Sequence, residues 1–514
     1  MLHRPSYHSA MAWPLHSAAA TRTLERQALQ GLPKFALMQR AGAGIAQLAR
    51  AIAPHAERAW VAVGPGNNGG DGLEAAVRLH EMGLAVSVSL AGVPASFPPD
   101  AAAAWARACQ AGVTIVSPAD APTLASHDLA IDALLGLGGT RPPAGVLATL
   151  IGVLNRQPCA VLAVDLPSGL NADTGQPTGE CAVDASHTLS LLTLKPGLFT
   201  ASGRDASGEV WFDDLAVDGA SAAPRAVLSP SPQGGPGRSH AQHKGSFGDV
   251  AVVGGAPGMT GAALLAARAA HAAGAGRIYV DLLDTDAPSL DPTRPELMFR
   301  RHWWRDSGTA LKHTTVVAGC GGGEAVRDAL PRLLSAATRL VLDADALNAL
   351  STDTSLQALL IARRGRGLET VLTPHPLEAA RLLKLSTHDV QADRLTAAQW
   401  LADRFGAVVV LKGSGSVIAR PDGLPCLNPT GNAALATAGT GDVLAGWIGG
   451  AWSSSPSAHG LRTAARAASA GFDAACASTW WHGHAADLTA STPLRANDLI
   501  EQMHALQRNV AGSR

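Results

Sequence analysis

The residues best suited to chemistry lie near the C-terminal end of the chain, in Gly439-Thr-Gly-Asp442. Glycines let the backbone turn so that several N–H groups point at one place, which suits an anion such as phosphate. An apolar helical pattern follows over residues 443–452, so the positive end of a helix dipole would add to the same place. A carboxylate does not bind phosphate, so Asp442 would serve as a base that takes a proton from a hydroxyl group. The alternative is an ordinary glycine turn in which Asp442 caps the helix.

A second glycine-rich loop lies in the first half of the chain. Residues 60–63 are predicted as a buried strand, Gly64-Pro-Gly-Asn-Asn-Gly-Gly-Asp-Gly72 as a loop, and residues 73–82 as a helix. Strand, glycine loop and helix form a phosphate-binding unit, although the spacing matches neither a Walker A loop nor GxGxxG. The asparagine and aspartate oxygens suit a hard cation as well as a phosphate or ribose. A purely structural turn would need fewer glycines, so we predict that this loop binds a ligand.

Two further acids follow predicted strands of the first half. Asp132 ends a strand predicted over residues 128–134, and Asp165 opens Asp-Leu-Pro-Ser-Gly169. Each could cap a turn or do chemistry, but ligands bind beyond the carboxyl ends of parallel strands, where these loops would meet. Lys195, before Pro196-Gly197, is a further candidate, and its alternative is a solvated lysine before a turn.

The second half contains three more polar candidates. His375 lies between two prolines after a predicted strand, so we expect ligand contact and not an ordinary surface histidine. The turn Lys412-Gly-Ser-Gly-Ser416 suits the phosphates or ribose of a nucleotide, and its alternative is a plain hairpin turn. His482 and His484 give a weak HxH sign of a metal, and we expect them to pack in the core.

Composition excludes several classes of protein. The chain has 514 residues, 47% of them hydrophobic, and a net charge of −1, which indicates a globular protein of several domains. No long basic run occurs, so nucleic acid and anionic membranes are poor partners. The 6 cysteines form no CxxC and predict reduced thiols in a cytoplasmic protein. The N-terminal residues contain no apolar core of a signal peptide, and no apolar run is long enough to span a membrane.

Strands alternate with helical stretches along both halves of the chain. This alternation predicts an α/β fold with a mostly parallel, doubly wound sheet. Residues 219–237 are rich in proline, serine and glycine and lack an apolar period, which predicts a linker. We therefore expect one domain over residues 1–220, a linker over 221–240 and a second domain over 241–514.

Several motifs together resemble a known enzyme family. Pro65-Gly-Asn-Asn-Gly-Gly-Asp-Gly72, Gly136-Leu-Gly-Gly-Thr-Arg-Pro142 and Val164-Asp-Leu-Pro-Ser-Gly169 resemble the NAD(P)H-hydrate epimerase domain. His243-Lys-Gly-Ser-Phe-Gly248, Leu372-Thr-Pro-His-Pro376, Asn428-Pro-Thr-Gly-Asn432 and Gly439-Thr-Gly-Asp442 resemble the ADP-dependent NAD(P)H-hydrate dehydratase domain of the ribokinase-like superfamily. A chain that carries both sets of motifs in this order is similar to the bifunctional NAD(P)H-hydrate repair family. The chain departs from the pattern at Gly319-Cys-Gly-Gly322, where a GPGL-like turn is common, and at Leu377, where glycine is common.

The resemblance implies an N-terminal Rossmann-like doubly wound domain followed by a C-terminal ribokinase-like α/β domain. The first would interconvert the R and S hydrates of NADH and NADPH. The second would dehydrate the S form at the expense of ADP, through phosphorylation of the ring hydroxyl and loss of phosphate. Asp165 and Asp442 would be the catalytic residues, each in contact with substrate. A potassium ion would be held by Asn68, Asp132 and Ser168, and Mg²⁺ would accompany ADP.

The resemblance also implies the binding residues. The hydrates would contact Asn67, Asn68, Gly69, Gly70, Asp71, Gly136, Leu137, Gly138, Gly139, Thr140, Arg141 and Pro142 in the first domain, and Ala262, Gly321 and His375 in the second. The nucleotide would contact Lys412, Gly413, Ser414, Gly415, Ser416 and Gly441. The partners would be these small molecules, with no nucleic acid or membrane, and the chain is expected to form a homo-oligomer.

Two alternatives remain from sequence. The first is a vitamin or sugar kinase fused to an accessory domain, which the ribokinase-like motif allows. The second is a non-enzymatic binding module, against which Asp132 and Asp165 argue, because a binding scaffold does not need carboxylates at the ligand edge of a sheet. ATP-dependent phosphorylation to a stable product would support the kinase.

Overall fold

The computed structural model describes residues 2–5, 11–139, 141–232, 240–305, 308–454, 470–489 and 494–512. It forms two compact units, the first mainly Trp13–Val227 and the second mainly Leu228–Arg514. Each unit is built around a largely parallel sheet, so the predicted α/β class is confirmed. Among the described residues, every helix is too short or too polar to cross a membrane.

Parallel strands make the sheet of the first unit. The first strand of the chain, β1 (Trp13–Leu15), lies outside this sheet. In chain order the strands of the sheet are β2 (Arg58–Val63), β3 (Ala85–Leu90), β4 (Thr114–Ile115), β5 (Leu129–Ala133), β6 (Ala160–Val164), β7 (His187–Leu191) and β8 (Glu209–Asp213). The sheet order is β4-β3-β2-β5-β6-β7-β8, and every neighbouring pair is parallel. The chain leaves β2 toward one edge and returns at β5 on its other side, so a topological switch point lies between these strands.

Helices cover both faces of this sheet. They are Ala18–Gly31, Ala36–Ile52, Asn67–Glu81, Pro99–Gln110, Val146–Leu154 and Gly203–Ala206. Successive residues of a strand point to opposite faces. Accordingly Val61 and Val63 belong to one buried cluster, whereas Trp60 and Ala62 belong to the other. This double burial explains why β2 is a continuous apolar run.

The second unit has a longer mixed sheet. Its strands are β10 (Asp249–Gly254), β11 (Arg277–Leu282), β12 (Met298–Phe299), β13 (Thr314–Ala318), β14 (Arg339–Leu342), β15 (Glu369–Leu372), β16 (Val408–Leu411), β17 (Val417–Ala419) and β18 (Cys426–Leu427). They are ordered β18-β17-β16-β15-β14-β13-β10-β11-β12. The pairs from β12 to β16 are parallel, and β16, β17 and β18 pair antiparallel.

Helices surround this sheet as well. They are Thr260–Ala272, Gly308–His313, Val326–Ala336, Ala344–Thr352, Thr354–Gly365, Pro376–Leu383, Thr387–Ala392, Arg394–Phe405, Thr440–Ser453, Ala470–Asp487 and Ala496–Gly512. The helix after the Gly439–Asp442 motif packs closely on an earlier one. A Cβ at Gly446 would lie 2.0 Å from the carbonyl oxygen of Ala266, so only glycine permits this approach. The close packing fixes the N-terminus of the helix that carries Asp442.

Two helices begin earlier than predicted. The first starts at Asn67, whereas residue 73 was predicted, so Asn67–Asp71 form helical turns and are not a loop. The second starts at Thr440 and places Asp442 in its first turn. Glycine disfavours helix in isolation, but here it is required by packing, since a Cβ at Gly70 would lie 2.4 Å from Met38 Cε.

The predicted linker also contains regular structure. Residues 226–228 form β9 (Ala226–Leu228), because three apolar residues interrupt the proline- and serine-rich stretch. Ala226 and Leu228 are both buried. The boundary between the two compact units falls at this strand.

Candidate active sites

The first unit contains a cleft at the switch point of its sheet. The cavity measures about 450 Å³ and opens beyond the carboxyl ends of β2, β5 and β6. Its lining includes the predicted residues Asn67, Asn68, Asp71, Gly136, Leu137, Gly138, Gly139, Arg141 and Asp165. The structure therefore brings together the three polar loops that the sequence placed at one sheet edge.

Asp165 lies on the wall of this cleft next to Lys195. The Lys195 ammonium donates to Asp165 Oδ1 and, at 2.7 Å, to the carbonyl oxygen of Leu191. Lys195 is fully buried, so the alternative of a solvated lysine is wrong. Asp165 itself has φ 70°, a left-handed conformation that non-glycine residues seldom adopt. Strain of this kind is typical of functional sites, where surrounding contacts hold the residue in place.

Two further carboxyl groups line the same cleft. Burial raises the pKa of Asp71 well above its ordinary value, and the negative charges of Asp165 and Glu25 add to this effect. Burial also raises the pKa of Glu25, again with a contribution from Asp165. The cleft thus keeps protons available on carboxyl groups close to a carboxylate that is paired with lysine.

Asp132 lies beneath the cleft and is fully buried. Its Oδ1 accepts hydrogen bonds from Ser168 Oγ at 2.6 Å and the Leu134 N–H at 3.1 Å, and Oδ2 accepts from the Ser168 N–H at 2.8 Å. Burial raises the pKa of Asp132 to about 6 despite these hydrogen bonds. Asn68 lies nearby against the loop after β5, since a Cβ at Gly136 would be 3.0 Å from Asn68 Oδ1. Among the described residues, Asn68 Nδ2 is buried without a hydrogen-bond partner.

Some predicted residues of the first unit lie apart from the cavity lining. Gly69 and Gly70 face the protein interior, where a Cβ at Gly69 would lie 2.2 Å from the carbonyl oxygen of Gly64. Pro142 follows the lining residue Arg141 and packs against Gly179. Thr140 lies outside the described residues. The two glycines serve close helix packing, which is a different role from the predicted direct contact.

In the second unit, Asp442 lies half-buried at the N-terminus of its helix. Gly439 caps this helix with φ 89°, so the motif turns as the sequence predicted. One carboxylate oxygen of Asp442, one of Asp343 and the sulfur of Cys320 all lie within 4.8 Å of one another. Burial first and the charge of Asp343 second raise the pKa of Asp442 to about 6. A carboxyl group with such a pKa is suited to act as a base near neutral pH.

Asp343 and Lys412 form an ion pair next to Asp442. Lys412 Nζ lies 2.8 Å from Asp343 Oδ1, which also accepts a 2.7 Å hydrogen bond from Thr373 Oγ1. A Cβ at Gly441 would lie 3.4 Å from Lys412 Nζ. Two residues predicted to bind the nucleotide, Lys412 and Gly441, are therefore neighbours.

The Lys412–Ser416 segment is a hairpin turn. It joins the antiparallel strands β16 and β17, so the structural alternative describes its geometry correctly. Arg394, almost fully buried, holds the turn from below. Its Nη2 donates to the carbonyl oxygens of Leu411 and Lys412, both at 3.2 Å. A turn supported in this way can still present its outer face to a ligand.

The residues predicted to contact the hydrate in the second unit lie in loops and helix starts that follow strands of its sheet. Ala262 and Gly321 are neighbours, since a Cβ at Gly321 would lie 2.9 Å from Ala262 Cβ. His375 caps the next helix, and its Nδ1 accepts from the Leu377 N–H at 3.1 Å. Burial and the charge of Lys412 lower the pKa of His375, which favours the neutral ring that this capping requires.

Several residues of these sites were not assigned by sequence. From sequence, Asp343 was assigned no role, Cys320 was included only in a departure from a motif, and His482 was expected only to pack in the core. The structure places His482 Nε2 2.9 Å from the carbonyl oxygen of Thr440. Asp343 could have been found from its position directly after a strand. No sequence pattern indicates that Arg394 or His482 contributes to the site.

Two family models match the chain. The family described as YjeF-related protein N-terminus matches residues 34–197, and the family described as NAD(P)H-hydrate dehydratase matches residues 250–507. The first match covers the cleft with Asp165, and the second covers the site with Asp442. Together they account for both sites.

Relatives match over most of their length. The bifunctional NAD(P)H-hydrate repair enzyme Nnr of Escherichia coli is 35% identical, covering 91% of this chain and 88% of the relative. The Coxiella burnetii enzyme of that name is 37% identical over 85% of this chain and 89% of its own. An ADP/ATP-dependent NAD(P)H-hydrate dehydratase of Bacillus subtilis, co-crystallised with ATP/Mg²⁺, is 29% identical with a TM-score of 0.44, covering 54% of this chain and 95% of the other. By its identity to these full-length relatives, the chain belongs to the family of bifunctional NAD(P)H-hydrate repair enzymes.

Proposed function

We propose that this chain repairs hydrated nicotinamide cofactors in two steps. The first unit interconverts the R and S hydrates of NADH and NADPH. The second unit dehydrates the S hydrate at the expense of ADP and regenerates the reduced cofactor. The family membership and the two separate clusters around Asp165 and Asp442 support this proposal.

In the first unit, Asp165 is the residue that exchanges protons with the substrate. Inversion at the carbon that carries the hydroxyl group requires a proton to be given to and taken from the reacting groups. Asp165 faces the cleft, and Lys195 holds its carboxylate in one orientation. Asp71, whose raised pKa favours the protonated form, is a second proton source on the same wall. The loop residues 136–139 and Arg141 would hold the dinucleotide.

A potassium ion would be held by Asn68, Asp132 and Ser168. The fit rests on oxygen donors and on the buried Asn68 Nδ2, which has no partner among the described residues. Rotating the Asn68 side-chain amide by half a turn exchanges Nδ2 and Oδ1, which would place an oxygen ligand where Nδ2 now lies. When bound, the ion would supply positive charge beneath the cleft. Asp132 and Ser168 already bind each other, so they would act as one unit.

In the second unit, Asp442 takes the proton from the ring hydroxyl of the S hydrate. The hydroxyl oxygen attacks the terminal phosphorus of ADP, which releases AMP and leaves a phosphate ester. Cleavage of that ester's carbon–oxygen bond releases phosphate, and loss of a proton from the neighbouring ring carbon restores the double bond of the ring. Gly441 and the neighbouring helix N–H groups bind the phosphates, and Lys412 adds a positive charge.

Mg²⁺ is expected to enter with the nucleotide, bound to its phosphates. It neutralises charge on the phosphoryl group during transfer. Ala262, Gly321 and His375 would contact the hydrate, and Gly413, Ser414, Gly415 and Ser416 the nucleotide. We also propose that residues 1–220 and 241–514 form the two domains, joined by a linker over 221–240. A homo-oligomeric state and a cytoplasmic location are further parts of the proposal.

One observation carries the proposal: Asp442 lies in the first turn of a helix whose N-terminus faces Lys412. A base and an anion-binding helix end are thereby placed at one site. The test is to incubate the protein with separately prepared R and S hydrates, with and without ADP and Mg²⁺. We expect interconversion without nucleotide and recovery of NADH absorbance only with it. Formation of a stable phosphorylated product from ATP, without recovery of NADH, would instead support a kinase.

A further inference from the structure

His482 makes a contact that its position in the sequence does not suggest. It lies buried in the helix Ala470–Asp487, and its Nε2 is 2.9 Å from the carbonyl oxygen of Thr440. A carbonyl oxygen only accepts, so the imidazole must carry its proton on Nε2 and donate. Burial lowers the pKa of His482 to about 4, so the ring stays neutral at physiological pH.

The contacted carbonyl belongs to the peptide unit between Thr440 and Gly441. Because a trans peptide is planar, its C=O and N–H point in opposite directions. Holding the Thr440 oxygen on one side therefore fixes the direction of the Gly441 N–H on the other. This N–H is among the first of its helix and has no acceptor within the helix. It is directed at the helix end, where Lys412 also lies.

His482 is a side-chain donor to a carbonyl oxygen that also faces the Leu444 N–H, one helical turn ahead. Thr440 Oγ1 donates to the carbonyl oxygens of Leu435 at 2.8 Å and Thr437 at 2.9 Å, which anchors the side chain. Gly439, with φ 89°, precedes Thr440, so the backbone turns into the helix immediately before this peptide unit. A donor bonded to the carbonyl oxygen also polarises the peptide and strengthens its N–H as a hydrogen-bond donor.

We propose that His482 is a positioning residue for nucleotide binding, which orients and polarises the 440–441 peptide so that the Gly441 N–H meets the nucleotide's phosphates. The inference rests on the proposed function of the second unit. It assigns a role to the helix Ala470–Asp487, which contributes His482 from 42 residues away in the sequence.

Four variants separate this role from simple packing. His482→Phe keeps a ring but removes the donor. His482→Gln can place an amide donor near Nε2, whereas His482→Asn is too short to do so. Thr479→Val is the matched control on the same helix, because Thr479 is buried and loses only its 2.8 Å hydrogen bond to the carbonyl oxygen of Ala475.

The experiment measures binding of ADP with Mg²⁺ to the full-length chain by calorimetry, beside steady-state dehydration of the S hydrate. We expect His482→Phe and His482→Asn to weaken ADP binding by about 5–100-fold and to raise the KM for ADP equally. The KM for the hydrate should change little, because His482 faces the peptide and not the hydrate residues. His482→Gln should recover most of the affinity, and Thr479→Val should bind ADP normally.

The positioning role of His482 and the proposed dehydratase function can fail separately in this experiment. If the unaltered chain binds ADP but His482→Phe and His482→Asn bind it equally well, the positioning role is wrong and the proposed function stands. Equal losses of affinity in Thr479→Val would also overturn it, because they would show a general effect of helix packing. If the unaltered chain binds neither ADP nor ATP, both the positioning role and the proposed dehydratase function are wrong.

Discussion

Asp165 and Asp442 are the proposed proton-transfer residues of their own units, but Asp165 follows a strand, Asp442 lies in the first turn of a helix, and the two have different neighbours. Asp165 forms an ion pair directly with the fully buried Lys195. Near Asp442 the lysine is Lys412, and it is paired instead with a second acid, Asp343. Burial first and the charge of Asp343 second raise the pKa of Asp442 to about 6. The two carboxyl groups therefore differ in whether a lysine contacts them directly or is held by a second acid.

The largest expected effect separates the two sites. Asp165→Asn should reduce epimerisation by about 10²–10⁴-fold and leave dehydration of the S hydrate unchanged. Asp442→Asn should reduce dehydration by a similar factor, leave epimerisation unchanged and alter ADP affinity little. Both rates are followed on one sample by chromatography of the hydrates and recovery of NADH absorbance. Near-normal turnover in either variant would remove that residue from its proposed role.

A substitution at Gly441 tests whether the glycines next to Asp442 serve to bind ADP. Gly441→Val adds a branched side chain toward Lys412, so it should weaken ADP binding before it affects the proton transfer. The comparison with Asp442→Asn then separates binding from catalysis. Should Asp442→Asn lose affinity and turnover in equal proportion, Asp442 would be better described as a structural cap.

The next effect concerns the direct ion pair of the first unit. Lys195→Met leaves the Asp165 carboxylate without its buried partner, which costs about 3–5 kcal/mol of unfolding free energy. The double variant Lys195→Met with Asp165→Asn should regain most of that stability but no epimerase activity. Denaturant unfolding of the full chain measures the free energy of unfolding of the first unit in each variant. If the single and double variants were equally stable, the pair would not hold Asp165 in its place.

A smaller effect is expected from the proposed cation site. Ser168→Ala removes the hydroxyl that donates to Asp132 and should lower the epimerase response to potassium, raising the half-saturating concentration by about tenfold or more. Thr188→Val is the control, since it removes another buried hydroxyl of the same unit, bonded to the carbonyl oxygen of Ser207 at 2.8 Å. The measurement is epimerisation against potassium concentration. An unchanged potassium response in Ser168→Ala would exclude this set of ligands.

Sequence predicted the alternation of strands and helices and the loops that carry Asp165 and Asp442, because each depends on local pattern. It did not predict the pairings that set the chemistry. Lys195 bonds Asp165 across 30 residues, Lys412 bonds Asp343 across 69, and His482 bonds Thr440 across 42. Such contacts follow from strand order and helix packing, which one sequence does not give. The early start of the helix at Asn67 was missed for the same reason, since its glycines are required by tertiary contacts and oppose helix locally.

The smallest effect is a shift in the pH dependence of dehydration. Asp442 must be deprotonated to act as a base, so kcat/KM for the S hydrate should rise with pH through about 6 and then level off. The charge of Asp343 raises this pKa, and the charge of Lys412, which Asp343 holds in an ion pair, lowers it. Asp343→Asn removes the negative charge and frees the positive one, so the rise should move to lower pH. Asp345→Asn should move it less in that direction, because Asp345 is the weaker of the two acidic influences. If the rise stays in place in Asp343→Asn, or moves to higher pH, the neighbouring acid does not set the basicity of Asp442.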